Sequence, residues 1–191
     1  WVKKGQLKIR INGKDFLYKT HPSNYISIHR TWKKGDIMEI TLPMQNRIEQ
    51  LPNVPNYIAI LHGPILLAAR TGTEDLKGST ADDSRWGHIA SGERLPIDKA
   101  PIIIEDNLQD LPKKLKPVAG KPLTFTLSQI KTINASNIVL EPFYKIHDAR
   151  YMMYWMALSG KQYQSYLDSL GSLEKERLAL QARTIDFVAP G

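Results

Sequence analysis

The side chains of this sequence that could do chemistry are histidines, carboxylates and a few clustered aromatics. Adjacent acids occur at Glu74-Asp75 and at Asp82-Asp83. Paired carboxylates cleave acetal bonds when they face one another across a cleft. Neighbours on an extended chain point apart, so both pairs read as solvated loop acids. There are five histidines, and their spacing matches no metal-binding helix or strand pattern. His29 reads as a surface or hydrogen-bonded side chain, and His62, just ahead of Gly63-Pro64, as a satisfied core histidine. Cysteine is absent, which excludes disulfides, thiolate metal sites and a cysteine nucleophile. The phosphate-cradling glycine loops and the G-x-S-x-G turn are absent as well. Asn134-Ala135-Ser136 is a formal glycosylation sequon, a pattern too short to carry weight alone.

Two aromatic groups remain. Arg85, Trp86 and His88 sit together in Arg85-Trp86-Gly87-His88. With the indole exposed, Trp86 would stack on a sugar ring and its neighbours would add polar contacts; tucked inward, it would be a loop anchor. His147-Asp148-Ala149-Arg150-Tyr151 runs into Met152-Met153-Tyr154-Trp155. There Asp148 and Arg150 read as a charge pair at a strand start, with the tyrosines and Trp155 packed between sheets.

Short strands must position these groups. Leu7-Lys8-Ile9-Arg10-Ile11 alternates strictly, the period of a half-buried strand. Asn12-Gly13 then signals a tight hairpin, with Asp15 to Tyr18 as the return strand. Tyr25-Ile26-Ser27-Ile28 alternates again, as do Met38, Ile40 and Leu42 after the turn at Lys33 to Asp36. Tyr57 to Leu61 and Ile65 to Ala69 are apolar on both sides of Gly63-Pro64, as strands covered on both faces are. Residues 71 to 96 read as a long connection, then Ile102 to Ile104, Leu123 to Leu127 and Ile138 to Leu140 as strands. From Lys161 to Arg183 the period turns helical through Tyr163, Tyr166, Leu167, Leu170, Leu173 and Leu178, and Gly171 is the place where it could divide in two. The reading is all-β, a β-sandwich or jelly roll with a short helical C-terminal extension. The expected division is a first domain over 1–72 and a second over 73–191, with a single merged sandwich as the alternative.

The formal charge is +7, but the basic residues come as isolated pairs such as Lys33-Lys34 and Lys113-Lys114. A nucleic-acid partner requires a clustered stripe, so none is expected. No apolar run approaches the ~20 residues that cross a bilayer, so no membrane partner is expected either. The Trp1-Val2 start and the Pro190-Gly191 end read as cuts in longer sequence, leaving a sheet edge open to pairing.

The string Tyr25-Ile-Ser-Ile-His-Arg30-Thr-Trp32-Lys-Lys-Gly35-Asp36, with the strand ending Leu42-Pro43-Met44, resembles the region after the catalytic barrel of glycoside hydrolase family 127. Ile60-Leu61-His62-Gly63-Pro64-Ile65-Leu66 is similar to that family's apolar strand pair, and Pro142 to Trp155 to a segment of Bacteroides-type members. The resemblance implies a parent like the β-L-arabinofuranosidases, periplasmic or secreted. Such enzymes have an (α/α)₆ barrel ahead of β-sandwiches and use a cysteine nucleophile in a zinc site. This chain has no cysteine, so no catalytic or metal-binding residue is carried over. The zinc is expected in the catalytic domain of the parent, with no cofactor here. The expectation is a non-catalytic piece that supports that barrel, its partner in the same chain, with a homodimer contact as a further role. The rival is a carbohydrate-binding module that recognises plant polysaccharide through Arg85, Trp86 and His88.

Overall fold

The computed structural model describes residues 2, 6–19, 23–74, 76, 96, 99–147 and 149–186, with side chains as far as residue 177. Near the start, β1 (Lys8–Ile11) and β2 (Lys14–Asp15) form an antiparallel hairpin. Its turn residues Asn12 and Gly13 have φ of 51° and 76°, the positive pair that a tight turn of this hand requires. The return run stays beside β1 past the end of β2: the Phe16 amide donates to Ile9 O at 2.8 Å and Tyr18 Oη to Leu7 O at 2.7 Å. The other edge of β1 pairs with β3 (Met38–Thr41), completing a three-stranded sheet. Asn12 ties the two turns together, with Nδ2 donating to Asp36 Oδ1 at 2.8 Å and Oδ1 accepting from the Ile37 amide at 2.9 Å. Asp36 also accepts from the Lys33 amide and Arg30 Nη2, each at 2.9 Å. These bonds, Asn12's foremost, hold its carboxyl below the usual carboxylate range.

The strand expected over Tyr25 to Ile28 does not form. Ile26 and Ile28 are half-buried between exposed neighbours, so the alternation survives in burial but not in a ladder. Both edges of the central strand β1 are already taken by β2 and β3.

A ten-stranded sheet system begins at β4 (Asn46–Gln50) and continues through β5 (Tyr57–His62) and β6 (Ile65–Gly72). After residue 99 come β7 (Ile102–Ile104), a 3-10 turn over Leu108–Asp110, the single helical turn α1 (Leu111–Lys114) and β8 (Lys116–Pro117). Next are β9 (Phe125–Thr126), β10 (Lys131–Ile133), β11 (Val139–Pro142), β12 (Arg150–Met152) and β13 (Tyr154–Leu158). The strand pairing explains how two layers arise. β4 runs along one edge of β5, while the other edge is shared: Ile60 to His62 pair with β6, and Tyr57 to Ala59 pair with β13. β6 in turn leaves β5 after Leu67 and pairs with β12 from Ala69 onward. The β5–β6 hairpin therefore forks, and β12–β13 enters the fork with Met153 at its apex. One leaf is β4-β5-β13-β7-β10, and the other is β12-β6-β11-β9-β8.

Between the leaves lies one apolar cluster. Ile58, Ile60, Ile103, Trp155 and Ala157 come from the first leaf, Leu67, Ala69, Phe125 and Leu140 from the second. They alternate along each strand, as inward positions must. Ala59 and Leu61 are buried too, so β5 is covered on both faces, as its continuous apolarity predicts. The boundary expected at 72/73 falls at the end of β6, whose partners β11 and β12 come from beyond it.

The C-terminal helix α2 runs unbroken over Gly160–Asp186, through Gly171. A mid-helix glycine costs about 1 kcal/mol against alanine, too little to break a helix that is well started. Its start is a reciprocal cap: the Gln162 amide donates to Ser159 Oγ at 3.2 Å, and the Ser159 amide to Gln162 Oε1 at 2.8 Å. The Gly160 amide also donates to Asp106 Oδ1 at 2.9 Å.

Leu67 is fully buried at the fork. Leu67→Ala is expected to lower unfolding free energy by about 2–5 kcal/mol, whereas Val54→Ala, at an exposed site, stays within about 0.5 kcal/mol of the parent value. Urea denaturation of both variants measures the difference.

Candidate functional site

Where the second leaf parts from the first, a cavity of about 1110 Å³ opens. Ala69, Met152 and Trp155 form apolar wall, and Arg70, Glu141, Arg150 and Tyr151 stand along the strands beside it. Two connections complete the rim, one through Lys99 to Pro101 and one through Asn134 to Val139. Asn134 and Asn137 have φ of 63° and 55°, a conformation that asparagine tolerates better than branched residues. Asn134 Nδ2 donates to Ala100 O at 3.1 Å, so the two connections brace each other.

Arg70 organises the strand side. Its Nε donates to Glu141 Oε1 at 2.6 Å, its Nη1 to His147 O at 3.2 Å and its Nη2 to Lys145 O at 3.0 Å. One planar guanidinium thus joins β6 to β11 and to the 3-10 turn Phe143–Lys145. Arg150 Nε reaches Glu74 O at 3.1 Å. Gly72 also lines the cavity. Its φ is 152°, and a Cβ there would stand 2.5 Å from Glu74 Oε2, so glycine alone suits this corner. Tyr151 is 49% exposed, and its ring meets Phe143 edge-on, 5.1 Å between centroids. Trp155 is fully buried, and its indole Nε1 has no hydrogen-bond partner among the described residues. An unmet buried donor costs about 1–3 kcal/mol.

The sugar-contact trio Arg85, Trp86 and His88 lies outside the described residues, as do Asp82, Asp83 and Asp148. Gly72 and Pro96, on either side of the segment that holds the trio, both line the cavity. Of the aromatics expected between sheets, Trp155 is there, but Tyr151 and Tyr154 are about half exposed. Tyr154 falls on the pleat of β13 opposite the inward Trp155, and Tyr151 lies on the separate strand β12. His62 behaves as a structural histidine: Nδ1 is 2.7 Å from Asn46 Oδ1, and its ring is 4.9 Å from that of Phe125. Burial holds its pKa below the ordinary value. Among the described residues no group of three or more His, Cys, Asp or Glu converges as a metal site, and no helix is long and apolar enough to cross a membrane. A thiolate zinc centre of the kind implied for the barrel does not fit these residues, since cysteine is absent.

The forked sandwich is thus a β-rich module with a pocket at the parting of its leaves. Residues 47–157 match a family described as a domain of unknown function, DUF4986; that is more than half of the chain, and the chain belongs to this family. Residues 1–44 match the middle domain of the family 127 β-L-arabinofuranosidases, which makes the chain a glycoside-hydrolase-related piece of that type. No curated protein matches it. A solved structure described as a glycoside hydrolase is similar at 16% identity with a TM-score of 0.47, over 82% of this chain and 27% of its own. A family 127 β-arabinofuranosidase is similar at 17% identity with a TM-score of 0.42, over 80% of this chain and 24% of its own. The chain spans about a quarter of the length of these two structures.

Two outcomes follow from this geometry. Lysine cannot reproduce the three-way fork of Arg70, so Arg70→Lys is expected to lower stability by about 1 kcal/mol, a modest loss because the pair is partly solvated. Denaturant titration reads it. For His62, folding disfavours the protonated ring, so the unfolded chain binds more protons as pH falls below about 6.5. Stability should then decline from pH 7.5 to 5.5, and His62→Gln should show a shallower decline in thermal melts over the same range.

Proposed function

We propose that this chain is a non-catalytic scaffold within a family 127-type glycosidase and performs no bond cleavage by itself. Residues 1–44 belong to the middle β-sandwich of that enzyme, residues 46–158 form a second sandwich after it, and both support a catalytic barrel carried elsewhere in the parent. The observation that carries this reading is the apolar surface of residues 17–44. Leu17 is 92% exposed, Ile37 64% and Ile40 53%, and Trp32, Met38 and Leu42 are each close to half exposed. All four residues of β3 are exposed, although Met38 and Ile40 alternate as a buried face would. So many large apolar side chains left exposed within one short stretch favour a surface made to be covered. The similarity of this segment to a middle domain supports the rest of that domain as the cover.

Incubated with an aryl β-L-arabinofuranoside, zinc and a reductant, the 191-residue chain is expected to release no aglycone; turnover overturns the proposal. The covering is tested separately with the double variant Ile37→Asp, Ile40→Asp. In the full-length parent it should lower the melting temperature by about 3 °C or more, while the 191-residue chain melts within about 1 °C of its unmodified form. An unchanged parent refutes the docking.

A further inference from the structure

We propose that the cavity between the Asn134–Val139 connection and β6, β11 and β12 binds an acidic glycan, a sugar unit that carries a carboxylate. The site is independent of the scaffold role and uses none of the exposed residues of 17–44.

Charge comes first. The described residues that line the cavity include four cations, Arg70, Lys99, Lys121 and Arg150, against the single carboxylate of Glu141. That carboxylate is already engaged by Arg70 at 2.6 Å. Lys99 and Lys121 are exposed at the rim and enter no ion pair among the described residues. A concave wall with this excess of positive charge concentrates an anion.

The rest of the lining selects the kind of anion. Tyr151 lines the cavity, is about half exposed and is held edge-on by Phe143, a platform on which the apolar C–H face of a sugar ring can rest. Thr71, Thr124, Ser136 and Asn137 line the same space, and hydroxyl and amide groups both donate and accept, as vicinal sugar hydroxyls demand. At about 1110 Å³ the space is at the upper end of small-molecule sites, room for more than one ring.

Isothermal titration of the 191-residue chain at low salt tests this, with α-1,4-linked trigalacturonate as the acidic probe and maltotriose as the neutral one. Trigalacturonate is expected to bind with a Kd below about 1 mM, at least about tenfold more tightly than maltotriose, and more weakly as salt rises. The double variant Lys99→Glu, Lys121→Glu changes only exposed rim positions, so it keeps the fold; it should weaken binding at least about tenfold. Tyr151→Ala should weaken it as well, with Tyr144→Ala, outside the cavity, as the control. No binding of trigalacturonate, equal binding of maltotriose, or unchanged affinity in the lysine double variant overturns the proposal. None of these results bears on whether the chain is catalytically inert.

Discussion

The fork of the β5–β6 hairpin is the constraint on which this structure depends. A hairpin that stays paired along its whole length gives one flat sheet with a single covered face. Here β12 and β13 part it, so that one chain segment bonds to both strands and directs them into different leaves. Trp155 follows two residues after the apex at Met153 and is fully buried in the cluster between the leaves. The largest side chain of the interior is therefore placed by the strand pairing of β13.

Much of this was legible in the residues, for physical reasons that differ from place to place. The Asn12-Gly13 turn was plain, because few sequences accept two successive positive φ values. The doubly covered strands were plain, because Ile58 to Leu61 offers no polar face to solvent. The strand Asn46-Arg47-Ile48-Glu49-Gln50 was not seen. Its charged pair Arg47 and Glu49 is that of an outer strand, and Ile48 alone gives no period. The start of the long helix was readable but unread: Ser159-Gly160-Lys161-Gln162 carries a serine and a glutamine at cap spacing. The helix does not divide at Gly171 because a local propensity of about 1 kcal/mol does not outweigh a capped, cooperative helix.

The pocket was beyond sequence reading. Its wall draws on Arg70, Lys99, Lys121, Asn134, Glu141 and Tyr151, which span some eighty positions, and no spacing rule joins them. Only the fold brings them together. The reading of Tyr154 as an interior side chain shows the same limit, since β13 carries aromatics on both pleats, at Tyr154 and Trp155, and the sequence does not say which pleat faces in. By contrast, the contrast between the two sheets could be sensed in outline. Ile9 and Ile11 bury while Met38 and Ile40, with a similar alternating pattern, do not; the pattern marks a face intended for contact and is silent on who supplies the contact.

The shared hairpin also has a consequence in time. β5 and β6 are synthesised early, yet β11, β12 and β13, which cover and divide them, follow only some seventy to ninety residues later in the chain. Closure over such a sequence separation is entropically costly and slow. Through that interval the nascent polypeptide carries a greasy three-stranded β4-β5-β6 ribbon whose edges toward β11, β12 and β13 are unsatisfied, the kind of transient species that seeks out other ribbons. Vectorial production on the ribosome thus sets the least soluble part of the molecule waiting longest for its complement, and yield in a cell should be governed by that wait more than by the stability of the finished product.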